Sequence, residues 1–249
     1  LLRIKKLITK INSSSEYTNP LVICGAGPTG VELACKISDL VNQRVEIYLV
    51  EKGSEILSKS KPFNREKAIA AISNRNIKLY LKHYIKSVDE TFLEFSCDED
   101  KINKSLKINY SSLIWTAGSK FSSLKLLYNF LDKNKKIKVN KYLQVNDYKN
   151  IFFVGDVTSN EDNLFPSSAQ LAMQQGSVVA QNIFALKLGN KLKSFEFEDF
   201  GEMLSLGIGN ASITGYGITL SGPLAFEIRR LAYLMRMPSS SISLRSIGS

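Results

Sequence analysis

Residues Gly25-Ala26-Gly27-Pro28-Thr29-Gly30 fit the spacing G-x-G-x-x-G, and an acid, Glu51, stands 21 positions after the last glycine. At a strand-to-helix turn, glycines in this pattern have three separate tasks. Gly25 permits the tight turn, Gly27 lets the main chain approach a pyrophosphate, and Gly30 lets the helix pack close to the sheet. The helix that opens at Pro28 and Thr29 points its positive end at the phosphates. A carboxylate at 51 accepts both ribose hydroxyls and repels a 2′-phosphate, which favours NADH over NADPH; Lys52 and Lys59 soften that preference. The plain alternative is a glycine-rich turn that binds nothing.

A second pattern is Ile-Phe-Phe-Val-Gly-Asp at 151–156. A strand that ends in Gly155 and Asp156 sets one carboxylate at a turn, where it would meet a polyol or cap the next helix. In the segment 166–176, Gln170 and Gln174 are four apart and share one helical face. Other chemistry is poorly supplied. The single histidine, His83, and the cysteines Cys24, Cys35 and Cys97 form neither a C-x-x-C pair nor a metal spacing. A zinc site and a disulfide-stapled secreted domain are therefore excluded, and no nucleophile motif accompanies His83.

The elements that must position these residues follow from apolar patterning. An apolar helix at 1–11 leads through a polar stretch to Pro20. Strand 21–25, helix 28–42 and strand 45–51 make one βαβ unit, with the glycine turn between its first two elements. A helix at 64–74 precedes a strand at 77–81. Alternating stretches at 84–95 and 106–110 suggest an antiparallel ribbon, and Leu-Ile-Trp-Thr-Ala-Gly at 113–118 is another strand stopped by glycine. Strands at 137–145 and 151–154 and a long helix at 167–188 follow. The last fifty-odd residues read as irregular and glycine-rich up to an amphipathic segment at 224–236.

With 249 residues, 44% apolar and 22% charged, the chain is an ordinary globular one, able to form one large domain or two modest ones. The net charge of +10 is concentrated: residues 101–150 hold eleven lysines, no arginine, and only Asp132 and Asp147 in opposition. The absence of arginine argues against nucleic acid as a partner and leaves a solvated face or an anionic membrane surface. The longest uncharged stretches, 164–186 and 203–226, are too polar or glycine-rich to be spanning helices.

Together the two patterns resemble the flavoprotein pyridine nucleotide oxidoreductases with two dinucleotide-binding domains. The resemblance implies that Asp156, beside Gly155, hydrogen-bonds the FAD ribityl chain, and that Ala117 and Gly118 pass close to the nicotinamide nucleotide. Pro166-Ser167-Ser168-Ala169-Gln170-Leu171-Ala172-Met173-Gln174-Gln175-Gly176 resembles the type II NADH dehydrogenases, the single-subunit, non-pumping NAD(P)H:quinone reductases. That implies Ala169, Gln170 and Gln174 beside the flavin at the quinone site. Glu32 matches a family glutamate near nicotinamide and flavin; its plain reading is a first-turn acid favoured by the helix dipole. Segments 56–57, 62–66, 201–207 and 229–234 resemble the cyanobacterial and plastid branch, linked to demethylphylloquinone and plastoquinone reduction.

The resemblance implies an α/β fold of the FAD/NAD(P)-binding, two-Rossmann-domain reductase type, lacking the first FAD-binding half. Residues 1–19 would be the end of an upstream FAD domain and a linker helix, and 20–130 the NAD(P)H-binding Rossmann-like domain. Residues 131–192 would be the return segment of the FAD domain, and 193–249 a region for membrane association and quinone access. In the last, Leu224, Ala225, Phe226, Ile228, Leu231, Ala232 and Leu234 supply an apolar face, with Arg229, Arg230 and Arg236 able to meet headgroups. The expected cofactors are FAD with NADH or NADPH, and no metal. The expected partners are a membrane quinone and a peripheral membrane surface, on the cytoplasmic or the plastid/thylakoid side, with a homodimer as the admitted assembly. Upstream sequence is expected to add a further strand, G-x-G-x-x-G and helix. Two alternatives stand beside this: an NADH-binding module that does not turn over, and a soluble ferredoxin or disulfide reductase of the same superfamily.

Overall fold

The apolar run after Pro20 forms strand β1 (Leu21–Cys24), buried at every position. Burial on both faces is what a near-continuous apolar run in a parallel sheet requires. The computed structural model describes residues 2–13, 19–97, 105–118, 131, 136–145, 148–160 and 165–235. They fall into two units, Leu1–Gly118 with Gly201–Ser249, and Ser119–Phe200.

In the first unit, β1 lies between β2 (Ile47–Val50) and β7 (Ser112–Trp115), with β3 (Ile77–Tyr80) outside β2, in the order β3-β2-β1-β7. Every pairing is parallel. One face carries α1 (Leu2–Ser13), α2 (Pro28–Leu40) and α3 (Pro62–Ser73) over a core that includes Ile11, Leu21, Ile23, Val31, Ile37 and Ile47. Burying each such side chain stabilises the unit by about 1.5–3 kcal/mol. The other face carries an antiparallel sheet of β4 (His83–Val88), β5 (Phe92–Cys97) and β6 (Ser105–Asn109), where Leu93 and Phe95 pack on Val22 and Val50. Three strands thus replace the two-part ribbon expected over 84–110.

Residues 201–222 correct the irregular reading. They form an antiparallel sheet of β10 (Glu202–Ser205), β11 (Ala211–Gly215) and β12 (Ile218–Gly222), followed by α5 (Pro223–Met235). The glycines that suggested a loop sit between and at the ends of strands: Gly207, Gly209 and Gly217 have positive φ, the conformation that turns need. This sheet belongs to the first unit, and Leu204 and Leu206 join its core. Ile11 of α1 is buried in that same core, and residues 193–200 fall in the second unit.

The second unit is smaller. Short strands β8 (Ile137–Lys138) and β9 (Thr158–Ser159) pair in parallel, and α4 (Ala169–Leu188) packs Leu171 and Val178 on Ile137, Val139 and Leu143. The strands expected over 137–145 and 151–154 shrink to β8 and to isolated bridges, Val139 with Val145 and Gln144 with Phe152. The Asn140 side chain explains the break. Its Oδ1 accepts from the Tyr142 and Gln144 N–H groups at 2.9 and 3.0 Å, closing a turn with Leu143 at φ 66°. Arg236, residues 239–249 and much of the lysine block lie outside the described residues.

Candidate functional site

The glycine turn closes on its neighbours as its spacing predicted. Gly25 has φ +99°, and a Cβ there would sit 2.9 Å from the Ala117 backbone. A Cβ on Gly30 would overlap the Gly25 carbonyl oxygen. A Cβ on Gly27 would meet nothing within 4 Å, so this glycine faces open space. Gly27 is also the N-cap of α2 and offers no side-chain acceptor to the first turn, where Pro28 leads. An uncapped helix start beside an open main chain is a receptor for an anion.

Glu51 continues from the end of β2. Its Oε2 accepts from the Ala26 N–H at 2.7 Å and its Oε1 from the Gly53 N–H at 2.8 Å. The acid and the glycine loop, 25 positions apart in sequence, are therefore bonded directly. Thr116, which the sequence reading passed over, locks the third side. Its hydroxyl lies 2.8 Å from the Cys24 carbonyl and 3.0 Å from that of Gly25, and its Oγ1 would be 2.9 Å from a Cβ on Gly30. A small hydroxyl just ahead of Ala117 and Gly118 was the available signal. Gly118, at φ +73°, also opens onto unfilled space.

The nearby titratable groups do not suit nucleophilic work. Burial pushes the Cys24 thiol up to about 11, and the Glu51 charge adds to it. Cys35 is pushed up to about 11 as well, by burial first, against the lowering charge of Arg75. Both stay protonated near neutral pH and are not reactive thiolates. His83 packs its ring edgewise on Tyr80 and Phe95, with Nδ1 2.5 Å from the Leu81 carbonyl oxygen.

Glu32 lies on the second turn of α2, not the first. Its Oε1 accepts from the Ser205 N–H at 2.7 Å and from Arg229 of α5 at 3.1 Å. It ties the helix of the glycine motif to the C-terminal sheet and helix. Two further ties were missed in the sequence. Asp39 and Arg75 pair at 2.7 Å and between them hold the Ile208 N–H and the Leu206 carbonyl. Glu202 accepts from Ser60, from the Lys61 N–H and from Asn64. Each tie joins positions far apart in sequence, so no local pattern announces it.

In the second unit, Gly155 has φ +80° and opens a single tight helical turn, Gly155–Val157, on which Asp156 is exposed. The Gly155 N–H donates to Gln175 Oε1 at 2.5 Å, and Thr158 donates to the Gly155 carbonyl at 2.8 Å. Gln175 is fully buried; the i, i+4 spacing singles out Gln170 and Gln174 and does not mark it. Those two do share a face, since both amides donate to the Glu198 carbonyl, at 3.0 and 2.8 Å. Ala169 is the exposed first residue of α4, whose N-terminus is closed by Ser168 Oγ accepting from the Leu171 N–H. No group of metal-binding side chains occurs among the described residues.

Comparison with known proteins fits this geometry. Residues 4–176 match the model of the pyridine nucleotide-disulphide oxidoreductase family. The chain is 35% identical over 244 residues to demethylphylloquinone reductase NdbB of Synechocystis, covering 95% of this chain and 59% of that protein. It is 29% identical to alternative NAD(P)H-ubiquinone oxidoreductase C1 of Arabidopsis thaliana, covering 50% of it. Among solved structures, NDH2 of Plasmodium falciparum in complex with NADH superimposes with a TM-score of 0.81 at 18% identity, over 99% of this chain and 70% of that one. The chain thus spans between half and three fifths of these two curated relatives. With a βαβ glycine loop, an acid bonded to it and a family match over most of its length, the chain belongs to the pyridine nucleotide-disulphide oxidoreductase family.

Proposed function

We propose that this chain is the nucleotide-binding and quinone-side portion of an FAD-dependent, non-pumping NAD(P)H:quinone oxidoreductase. The observation that carries the reading is the open main chain at Gly27 above an uncapped helix start, with Glu51 bonded across the loop. Such a site holds a pyrophosphate and presents one carboxylate to a ribose, which favours NADH. Ala117 and Gly118 border the same loop and would lie along the nicotinamide half. The names of the relatives, a demethylphylloquinone reductase and an NAD(P)H-ubiquinone oxidoreductase, support a quinone as the second substrate.

The second unit suits the return half of a flavin-binding domain. Gly155 would bring main chain close to the flavin, Asp156 would accept from its polyol, and Ala169, Gln170 and Gln174 would line the quinone side. Large apolar side chains exposed along α4, among them Met173, Phe184 and Leu188, support a covering body there. When bound, the flavin supplies a two-electron acceptor between dihydronicotinamide and quinone. The chain's own residues bind and orient: the glycine loop holds the pyrophosphate, and the glutamine amides offer hydrogen bonds to a quinone carbonyl.

Peripheral attachment to a membrane is part of the proposal. On α5, Leu224, Ile228, Leu231 and Met235 are exposed at helical spacing, and Ala225 faces inward. Among the described residues no helix is long and apolar enough to cross a membrane. An exposed apolar stripe next to arginines suits a helix lying at the headgroup level, where a lipid-soluble quinone would enter.

Stopped-flow kinetics on the full-length protein test the assignment. NADH should bleach the flavin absorbance, and a short-chain quinone should restore it. Gln170→Leu should leave the first phase near wild-type and slow the second about tenfold, the scale of one lost hydrogen bond in a dry site. Slow flavin reduction with normal reoxidation would sink the placing of α4 on the quinone side.

A further inference from the structure

We infer that Glu51 is a positioning residue for the pyrophosphate: its carboxylate holds the glycine-rich loop in its receiving shape before any nucleotide arrives. This rests on reading 25–51 as the dinucleotide site. Residue 51 is itself fixed by main-chain bonds on both sides. Its N–H donates to the Tyr80 carbonyl at 2.8 Å, and its carbonyl accepts from the His83 N–H at 3.0 Å. The Gly53 carbonyl accepts from the Lys82 N–H at 2.9 Å. From this braced segment the carboxylate reaches Gly53 with one oxygen and Ala26 with the other. Ala26 is buried between the first two glycines of the motif, and its carbonyl accepts from the Leu57 N–H at 2.9 Å.

The hydrogen-bond inventory makes the carboxylate hard to replace. A carboxylate has about four acceptor sites, two on each oxygen, so main-chain bonds to Ala26 and Gly53 leave one on each oxygen for a ribose hydroxyl. A carboxamide has one acceptor oxygen, and its NH2 would face a main-chain N–H across the other contact. Glu51→Gln therefore keeps the size of the side chain and breaks one of the two bonds. Glu51→Ala breaks both and leaves the buried Ala26 N–H unmatched, which the loop can relieve only by shifting. Because NADH and NADPH share the pyrophosphate, a shifted loop weakens both. An acid that served only the ribose would behave differently: its removal would tighten NADPH.

The test pairs hydrogen exchange with equilibrium binding in the full-length protein. Without nucleotide, the Ala26 and Gly53 amides should exchange about tenfold faster in Glu51→Ala and less so in Glu51→Gln, scaling with bonds lost. Amides of β1 should be unchanged, which separates loop release from unfolding. Affinity for NADH and for NADPH should both fall about tenfold in Glu51→Ala. Unchanged exchange at Ala26 and Gly53, with NADPH bound more tightly, would overturn the clamp and leave the ribose reading standing. Faster exchange with an unaltered NADH/NADPH ratio would support the clamp and remove the ribose role.

Discussion

The two units fasten their returning segments with different chemistry. In the first, carboxylates make the ties: Glu51 to Ala26, Glu32 to Ser205 and Arg229, Asp39 to Arg75 and Ile208, Glu202 to Asn64. In the second, neutral amides do it: Gln175 to Gly155, Gln174 to Glu198, and Asn182 to both the N–H and the carbonyl of Lys193. The helix starts differ too. α2 is left uncapped at Gly27, whereas α4 is closed by its own Ser168. The contrast teaches where the chain reserves its electrostatics. Charged acceptors and a bare helix end belong to the unit that carries the proposed phosphate site, and self-satisfied amides hold the other unit.

Removing a charge from the first unit should produce the largest effect. Asp39→Asn leaves Arg75, whose side chain is 11% exposed, without its anion, and the expected loss is about 3 kcal/mol in urea unfolding. The Asp39 carboxyl carries a pH signature. Burial works to raise its pKa, but the Arg75 hydrogen bond, the Ile208 N–H and nearby positive charge outweigh it and hold it below the ordinary 3.8. A depressed folded value contributes stability that is present above 3.8 and lost as pH falls through the lower one. Acid titration of wild-type and Asp39→Asn should therefore converge below that window. Curves that stay parallel would place the tie outside the cooperative core.

Next in size is the bare helix end. Gly27→Asp sets a fixed anion where a phosphate is expected and gives α2 a cap of its own. NADH affinity should fall about 100-fold while the melting temperature holds or rises. Equal losses of binding and stability would mean that Gly27 serves the fold. In the second unit, Gln175→Leu strands the Gly155 N–H in the interior and should cost about 2 kcal/mol. Its effect should be flat from pH 5 to 8, measured by the same unfolding experiment. A pH-dependent loss there would erase the distinction between the two kinds of tie.

Legibility in the sequence tracked the distance between partners. The βαβ unit was readable because Gly25, Gly30 and Glu51 fall within one short contiguous stretch whose spacing is fixed by strand and helix geometry. Gln170 and Gln174 were readable as sharing a face for the same reason. Thr116 and Gln175 were not, since each acts on a backbone group reached only after the chain has folded back. The sheet of β10 to β12 was hidden by its own turns: Gly207, Gly209 and Gly217 dominated the composition, and the strands between them are only four or five residues long. The partners of Glu32, Ser205 and Arg229, lie more than 170 positions away, so no local pattern announces that tie.

The first unit is interrupted by residues 119–200, and this has a consequence for how the protein is made. A chain leaves the ribosome N-terminus first at about 5–20 residues per second, so about 4–16 s separate the emergence of the parallel sheet from that of its closing segment. Through that interval Glu32 and Asp39 wait without the Ser205, Ile208 and Arg229 groups they will hold, and the core still lacks Leu204 and Leu206. Nascent chains halted in this window carry an open apolar seam along α2 and α3, the state in which a holdase chaperone would find them. Completion of the nucleotide-binding unit thus waits for its closing segment, although the glycine signature at 25–30 is made well before residues 201–222.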